Sequence, residues 1–143
     1  MNKKAELFKN YLEEKKITCF EIQEVPDDKL NTVVFRSHIE VEGQQLPTLV
    51  ILDSSIYTMI RVRVANEALK DDNKTALIDA INKINAQYKI FKYYFTEDGA
   101  LILDAYVLNR PEEVDGDMIY TVLDVLVKHL QDEYKQIMKL IWA

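Results

Sequence analysis

Residues 31–42 alternate. Val33, Phe35, Ile39 and Val41 point one way; Arg36, His38, Glu40 and Glu42 point the other. A period of two over that length predicts a strand with one buried face. Residues 46–53 carry apolar side chains on both sides, Leu46, Val50 and Leu52 against Leu49 and Ile51, as a central strand does. Residues 56–65 alternate again, with Ile56, Ile60, Val62 and Val64 opposite Arg61 and Arg63. A one-residue slip in pairing would turn a core face to solvent, so these three apolar faces must coincide. That predicts a two-residue turn at Gly43-Gln44 and a three-residue loop at Asp53-Ser54-Ser55. The outer face then mixes Arg36, His38, Glu40, Arg61 and Arg63 with Leu49, Ile51, Tyr57 and Met59.

The period changes at Asn73. Leu77, Ile81, Ile84 and Tyr88 follow helical spacing, and Asp71, Asp72 and Asn73 stand where side chains cap a first turn. After Tyr88 the chain is β-branched and aromatic, as strands prefer. Asp98-Gly99 is a hairpin signal, because a type I′ turn needs positive φ at both central residues. A two-residue turn there pairs Thr96 with Leu101 and Tyr94 with Leu103. It places Ile90, Tyr94, Leu101, Leu103, Ala105 and Val107 on one face. Phe91, Tyr93, Phe95, Ile102 and Tyr106 share the other with Asp104. Both faces are largely apolar, so both need cover, the second from a helix or another chain.

Residues 3–16 predict a first helix with an apolar patch at Leu7, Phe8, Tyr11 and Leu12. Residues 17–25 predict a first strand. The last helix, capped by Asp115 or Asp117, carries apolar residues at helical spacing from Ile119 to Ile141. Unbroken to Trp142 it would be about 42 Å long, against a radius of gyration of roughly 14 Å for a chain of this size. Its far end, with Ile137, Ile141 and Trp142, is expected to protrude or to meet a partner. The whole is one α+β domain over residues 1–143, a mostly antiparallel sheet with three helices in the order α-β-β-β(-β)-α-β-β-α.

Within it, Ile81-Asn82-Lys83-Ile84-Asn85 ends a helix and leads into a strand, the Asp-Gly turn and Leu101-Ile102-Leu103. This segment resembles the centre of the bacterial YbjN-like family, and the element order resembles the type III secretion chaperone-like fold. The resemblance implies a small domain that often pairs with itself. It also implies binding of polypeptide or regulatory partners without catalysis, as secretion chaperones bind an extended segment along their surfaces. The family supplies no catalytic residues to carry over.

Charge and composition narrow the classes. A net charge of −6 argues against nucleic acid, whose phosphates demand clustered Lys and Arg. Cys19 is the only cysteine, so no internal disulfide forms and no cysteine-based zinc site closes. No secretory signal and no membrane-spanning run is read, and a cytoplasmic location is the expectation. Phosphate loops and the motifs of zinc proteases, serine hydrolases and thiol redox proteins are missing, so no catalytic residue, metal ligand or cofactor is assigned.

His38 and His129 read as surface residues, Cys19 as a buried thiol, and Glu112, Glu113, Asp115 and Asp117 as capping residues. Two surfaces stand out. Phe91, Tyr93, Phe95, Ile102 and Tyr106 are the candidate partner or dimer surface, since aromatics concentrate in interface cores. Arg36, Arg61 and Arg63 are the candidate patch for an anion or acidic peptide. The expected function is a non-catalytic protein- or peptide-binding module, expected as a homodimer. The alternative is a small-molecule sensor or weak enzyme with a pocket between sheet and helices.

Overall fold

The computed structural model describes residues 1–142. Three helices and six strands follow one another as α1 (Lys3–Glu14), β1 (Glu21–Glu24), β2 (Val33–Val41), β3 (Gln44–Leu52), β4 (Tyr57–Ala65), α2 (Lys74–Gln87), β5 (Phe91–Phe95), β6 (Leu101–Leu108) and α3 (Gly116–Trp142). The strands make one sheet in the order β1-β2-β3-β4-β6-β5, each neighbour antiparallel. The architecture is α+β, with the predicted element order.

Registry explains which expectations survive. β2 and β3 join through Glu42-Gly43, with Val41 opposite Gln44. Both turn residues have positive φ, 48° and 77°, as a type I′ turn requires. That turn lies one residue earlier than expected, so the pairing moves by two and the faces are kept. Leu52 likewise pairs with Thr58 rather than Ile56, another even shift.

The β5–β6 hairpin differs. Phe95 pairs with Leu101 and Tyr93 with Leu103, because residues 97–99 form a three-residue loop. Thr96 N–H donates to Ala100 O and Gly99 N–H to Thr96 O, both at 2.9 Å, with Gly99 left-handed at φ 82°. This odd shift exchanges the faces of β5. Phe91, Tyr93 and Phe95 join Leu101, Leu103, Ala105 and Val107, and Tyr94 moves to the other side.

A second difference concerns β1. It spans Glu21–Glu24 and pairs only with residues 33–36 of β2. Residues 17–20 leave the sheet to reach α1. The Phe20 ring turns inward, 6.1 Å from Phe8 and 6.4 Å from Phe35. Burying that ring outweighs continuing the ladder.

All three helices lie on one face of the sheet. A single buried cluster holds Phe8 and Leu12 of α1, Leu77 and Ile81 of α2, and Ile119, Leu126 and Leu130 of α3. The same cluster holds Phe35, Val50, Ile60, Ala105 and Phe91 from five strands. No residue of the opposite sheet face belongs to it. α3 is buried along its length, from Ile119 to Ile141, so the expected protruding end is not found. Its 27 residues, about 40 Å, cross the sheet; at the far end Ile137 and Ile141 are buried while Trp142 is exposed, with the Lys70 ammonium 3.9 Å above its ring.

Polar contacts lock the helices in place. Buried Lys4 donates to Tyr57 O at 2.8 Å and Thr58 Oγ1 at 3.3 Å, and burial pulls its pKa down. Asn73 does not cap α2 with its side chain; it accepts from Lys70 N–H and donates to Ala68 O and Ile141 O. Asn85 accepts from Tyr93 N–H at 2.8 Å and donates to Tyr93 O at 3.0 Å. That side-chain amide imitates a strand neighbour along the outer edge of β5, an edge otherwise open to pairing.

Candidate functional site

The side of the sheet away from the helices is the candidate site. Alternation of side chains along each strand places Val34, Ile51, Met59 and Tyr106 in one transverse row and Arg36, Leu49, Arg61 and Asp104 in the next. Tyr94, Tyr57 and Leu108 extend the surface on β4, β5 and β6, with Ile102, only 2% exposed, buried between its neighbours on the same side. Tyr57, Tyr94, Tyr106 and Leu108 are exposed, Tyr106 at 49%. The Tyr57 and Tyr106 rings meet edge to face at 6.4 Å.

At its centre, Arg61 donates twice to Asp104, from Nε at 2.8 Å and from an Nη at 2.9 Å. Asp104 is buried and Arg61 partly so, and the carboxylate raises the guanidinium pKa, chiefly through that hydrogen bond. The same guanidinium lies 5.8 Å from the Tyr94 ring. Fork-to-fork geometry of this kind fixes both side chains and is stronger than a point-charge contact.

The three predicted arginines do share this face. Arg36 donates to Gln23 Oε1 at 2.9 Å, and Arg63 donates to Asn66 Oδ1. Side-chain amides aim these guanidiniums without neutralising them. Among the described residues only Arg61 of the three enters a salt bridge, although Glu21 stands across from Arg36 and the charge of Arg63 reaches Asp98. Two positive groups therefore flank an apolar and aromatic strip, in a chain of net charge −6.

The predicted aromatic surface is divided between the two faces. Phe91 and Tyr93, 2% and 3% exposed, lie in the core beneath α3, and Phe95 packs beside them. Ile102 and Tyr106 lie on the open side. The three-residue hairpin loop is the cause, so these five residues make no single surface. The same loop puts Tyr94 on the open face, opposite Ile102, and not with Leu103 as the two-residue turn predicts. A Thr before Asp-Gly, able to donate to the loop aspartate as Thr96 does, is the local signal for the longer loop.

The other chemistry resolves individually. His38 is exposed on the open face. His129 is not a surface residue: it is buried, its Nε2 is 2.8 Å from the Tyr93 hydroxyl, and rings of Tyr88, Phe91 and Tyr93 surround it. Burial pushes its pKa down to about 4, opposed weakly by Asp132, and its Nδ1 has no partner among the described residues. Burial pushes the Tyr93 hydroxyl well above its ordinary value. Cys19 is exposed, not buried. Asp115 Oδ1 caps α3 by accepting from Met118 N–H at 3.0 Å. Among the described residues, no group of three or more His, Cys, Asp or Glu is placed to hold a metal ion, and no helix is long and apolar enough to cross a membrane.

Two open grooves lie at one end of the molecule. They measure 640 and 730 Å³ and share Glu42, Tyr134, Met138 and Trp142. Between sheet and helix lies a smaller cavity of 190 Å³, lined by Phe20, Ile39, Tyr120, Leu123 and Val127 among others. No protein-family model matches the chain, and no curated protein matches it either.

Proposed function

We propose that this chain is a non-catalytic protein-binding module of the type III secretion chaperone-like kind, which seats an acidic polypeptide on the open face of its sheet. One observation carries the reading: an antiparallel sheet with three helices on one side leaves Leu49, Ile51, Met59, Tyr57, Tyr94, Tyr106 and Leu108 on the other with no covering element. Apolar patches rimmed by charge mark interaction surfaces, and Tyr and Arg are the residues that dominate binding energy there. Arg36 and Arg63, held by side-chain amides and in no salt bridge among the described residues, set the sign of the partner.

Native mass spectrometry of the untagged protein from its own cells tests this, with wild type beside Tyr106→Glu. A stoichiometric second polypeptide of acidic composition is expected on the wild type and absent from the variant, with equal melting temperatures for the two. A partner retained by Tyr106→Glu, or a homodimer carrying nothing else, overturns the reading. A bound small molecule without a second chain moves it to the sensor class.

A further inference from the structure

β2 is only half covered along its outer edge. β1 pairs with residues 33–36, yet β2 continues to Val41. Beside residues 37–41, every second residue turns its N–H and C=O outward, away from β3. Among the described residues no backbone or side-chain group outside the β2–β3 ladder bonds to them. The strand that would continue there, residues 17–20, has been drawn off by Phe20. The result is a slot one strand wide, bounded at one end by Glu21.

The slot has a floor. The 190 Å³ cavity lies beneath it, between β2 and α3, walled by Phe20, Ile39, Leu123 and Val127. A strand lying in the slot would drop alternate side chains toward that cavity, which has room for an aliphatic group. Its other side chains would emerge beside His38 and Glu40, both exposed. Backbone pairing supplies affinity in such strand addition, and side-chain pockets supply selectivity. The opposite edge of the sheet offers nothing similar, because Asn85 already pairs with Tyr93 there.

We infer that residues 37–41 of β2 bind an extended segment of another polypeptide as an added antiparallel strand. That segment has aliphatic residues at alternate positions and a basic residue opposite Glu40. This site extends the protein-binding reading but uses none of the residues of its apolar and arginine strip. A second copy of β2 does not fit. Antiparallel self-pairing about Ile39 places Glu42 of the copy opposite Arg36, a position Glu21 already occupies.

The test uses the full chain and a blocked peptide of sequence threonine–valine–lysine–valine–threonine–valine, which ends opposite Ser37, short of Glu21. Two control peptides accompany it, one with glutamate for the lysine and one with serine for all three valines. The first peptide is expected to bind with Kd below about 1 mM. It should slow amide exchange at outward-facing residues among 37–41 at least tenfold, and slow alkylation of Cys19, which lines the same cavity. Each control should bind at least tenfold more weakly. Val127→Trp, filling the cavity, should abolish binding, while Tyr106→Glu leaves it unchanged. Should Val127→Trp melt early, Val127→Met fills the space with a more pliant chain. No binding at 1 mM, equal binding of the controls, or binding without protection at residues 37–41 overturns the inference. Loss on Tyr106→Glu with retention on both Val127 variants does so too, and assigns the peptide to the open face instead.

Discussion

Two adjacent rows cross the sheet. Phe35, Val50, Ile60, Ala105 and Phe91 face the helices; one residue along, Arg36, Leu49, Arg61, Asp104 and Lys92 face away. Backbone pairing is the same for both. The first row is sealed, with every member almost fully buried. The second keeps an apolar residue beside a fixed ion pair and unpaired positive charge. Stability is concentrated in the first row; on the proposed reading, recognition belongs to the second.

Phe35→Ala tests that division most severely. It removes a ring wedged against Phe8 and Phe20, and should cost about 3–5 kcal/mol in urea denaturation. A smaller loss would mean that the covered face is loosely packed.

The intolerance of that face for charge gives the next effect. His129 has an unfolded reference pKa of 6.5 and about 4 when folded. The unfolded chain therefore binds the proton first, and stability falls as pH drops from 6.5 toward 4, by roughly 3 kcal/mol in all. Above pH 6.5 this residue contributes no slope. His129→Phe should flatten that part of the profile, measured as the difference from wild type so that the carboxylates cancel.

On the open face, Asp104→Ala strands the Arg61 guanidinium. Arg61 keeps 30% of its side chain exposed, which limits the loss to about 2 kcal/mol. Met59→Ala, also on that face, should cost less than about 1 kcal/mol. If Met59→Ala proved as damaging as Phe35→Ala, the open face would be core and not a binding surface.

Much of this was legible before any coordinates, and the reason is parity. Shifts of two residues at Gly43-Gln44 and at residues 53–55 keep the paired side chains on their expected faces, so Arg36, Arg61 and Arg63 share one side, and only Ile56 drops out of the strand, exposed. An error of one residue at Asp98-Gly99 reversed β5 and scattered the predicted aromatic surface. Local pattern carries the alternation, but loop length is decided by contacts such as the Thr96 and Ala100 hydrogen bonds. The detachment of residues 17–20 was illegible for a different reason. It depends on Phe20 reaching Phe8 and Phe35, which alternation along the strand does not encode.

Strand order has a consequence for how the molecule is made. β1 to β4 can pair in turn as the chain emerges. The other edge of β4 waits for β6, which follows α2 and β5 in sequence. At synthesis rates of about 5–20 residues/s, β4 spends on the order of seconds as a bare, apolar edge. The β5–β6 hairpin is then the closing piece, and its tip at Gly99 has little slack, since a Cβ there would come 3.0 Å from Leu69 O. Defects in that loop are therefore expected to appear as poor yield from newly made chains, even where the finished protein, once folded, endures.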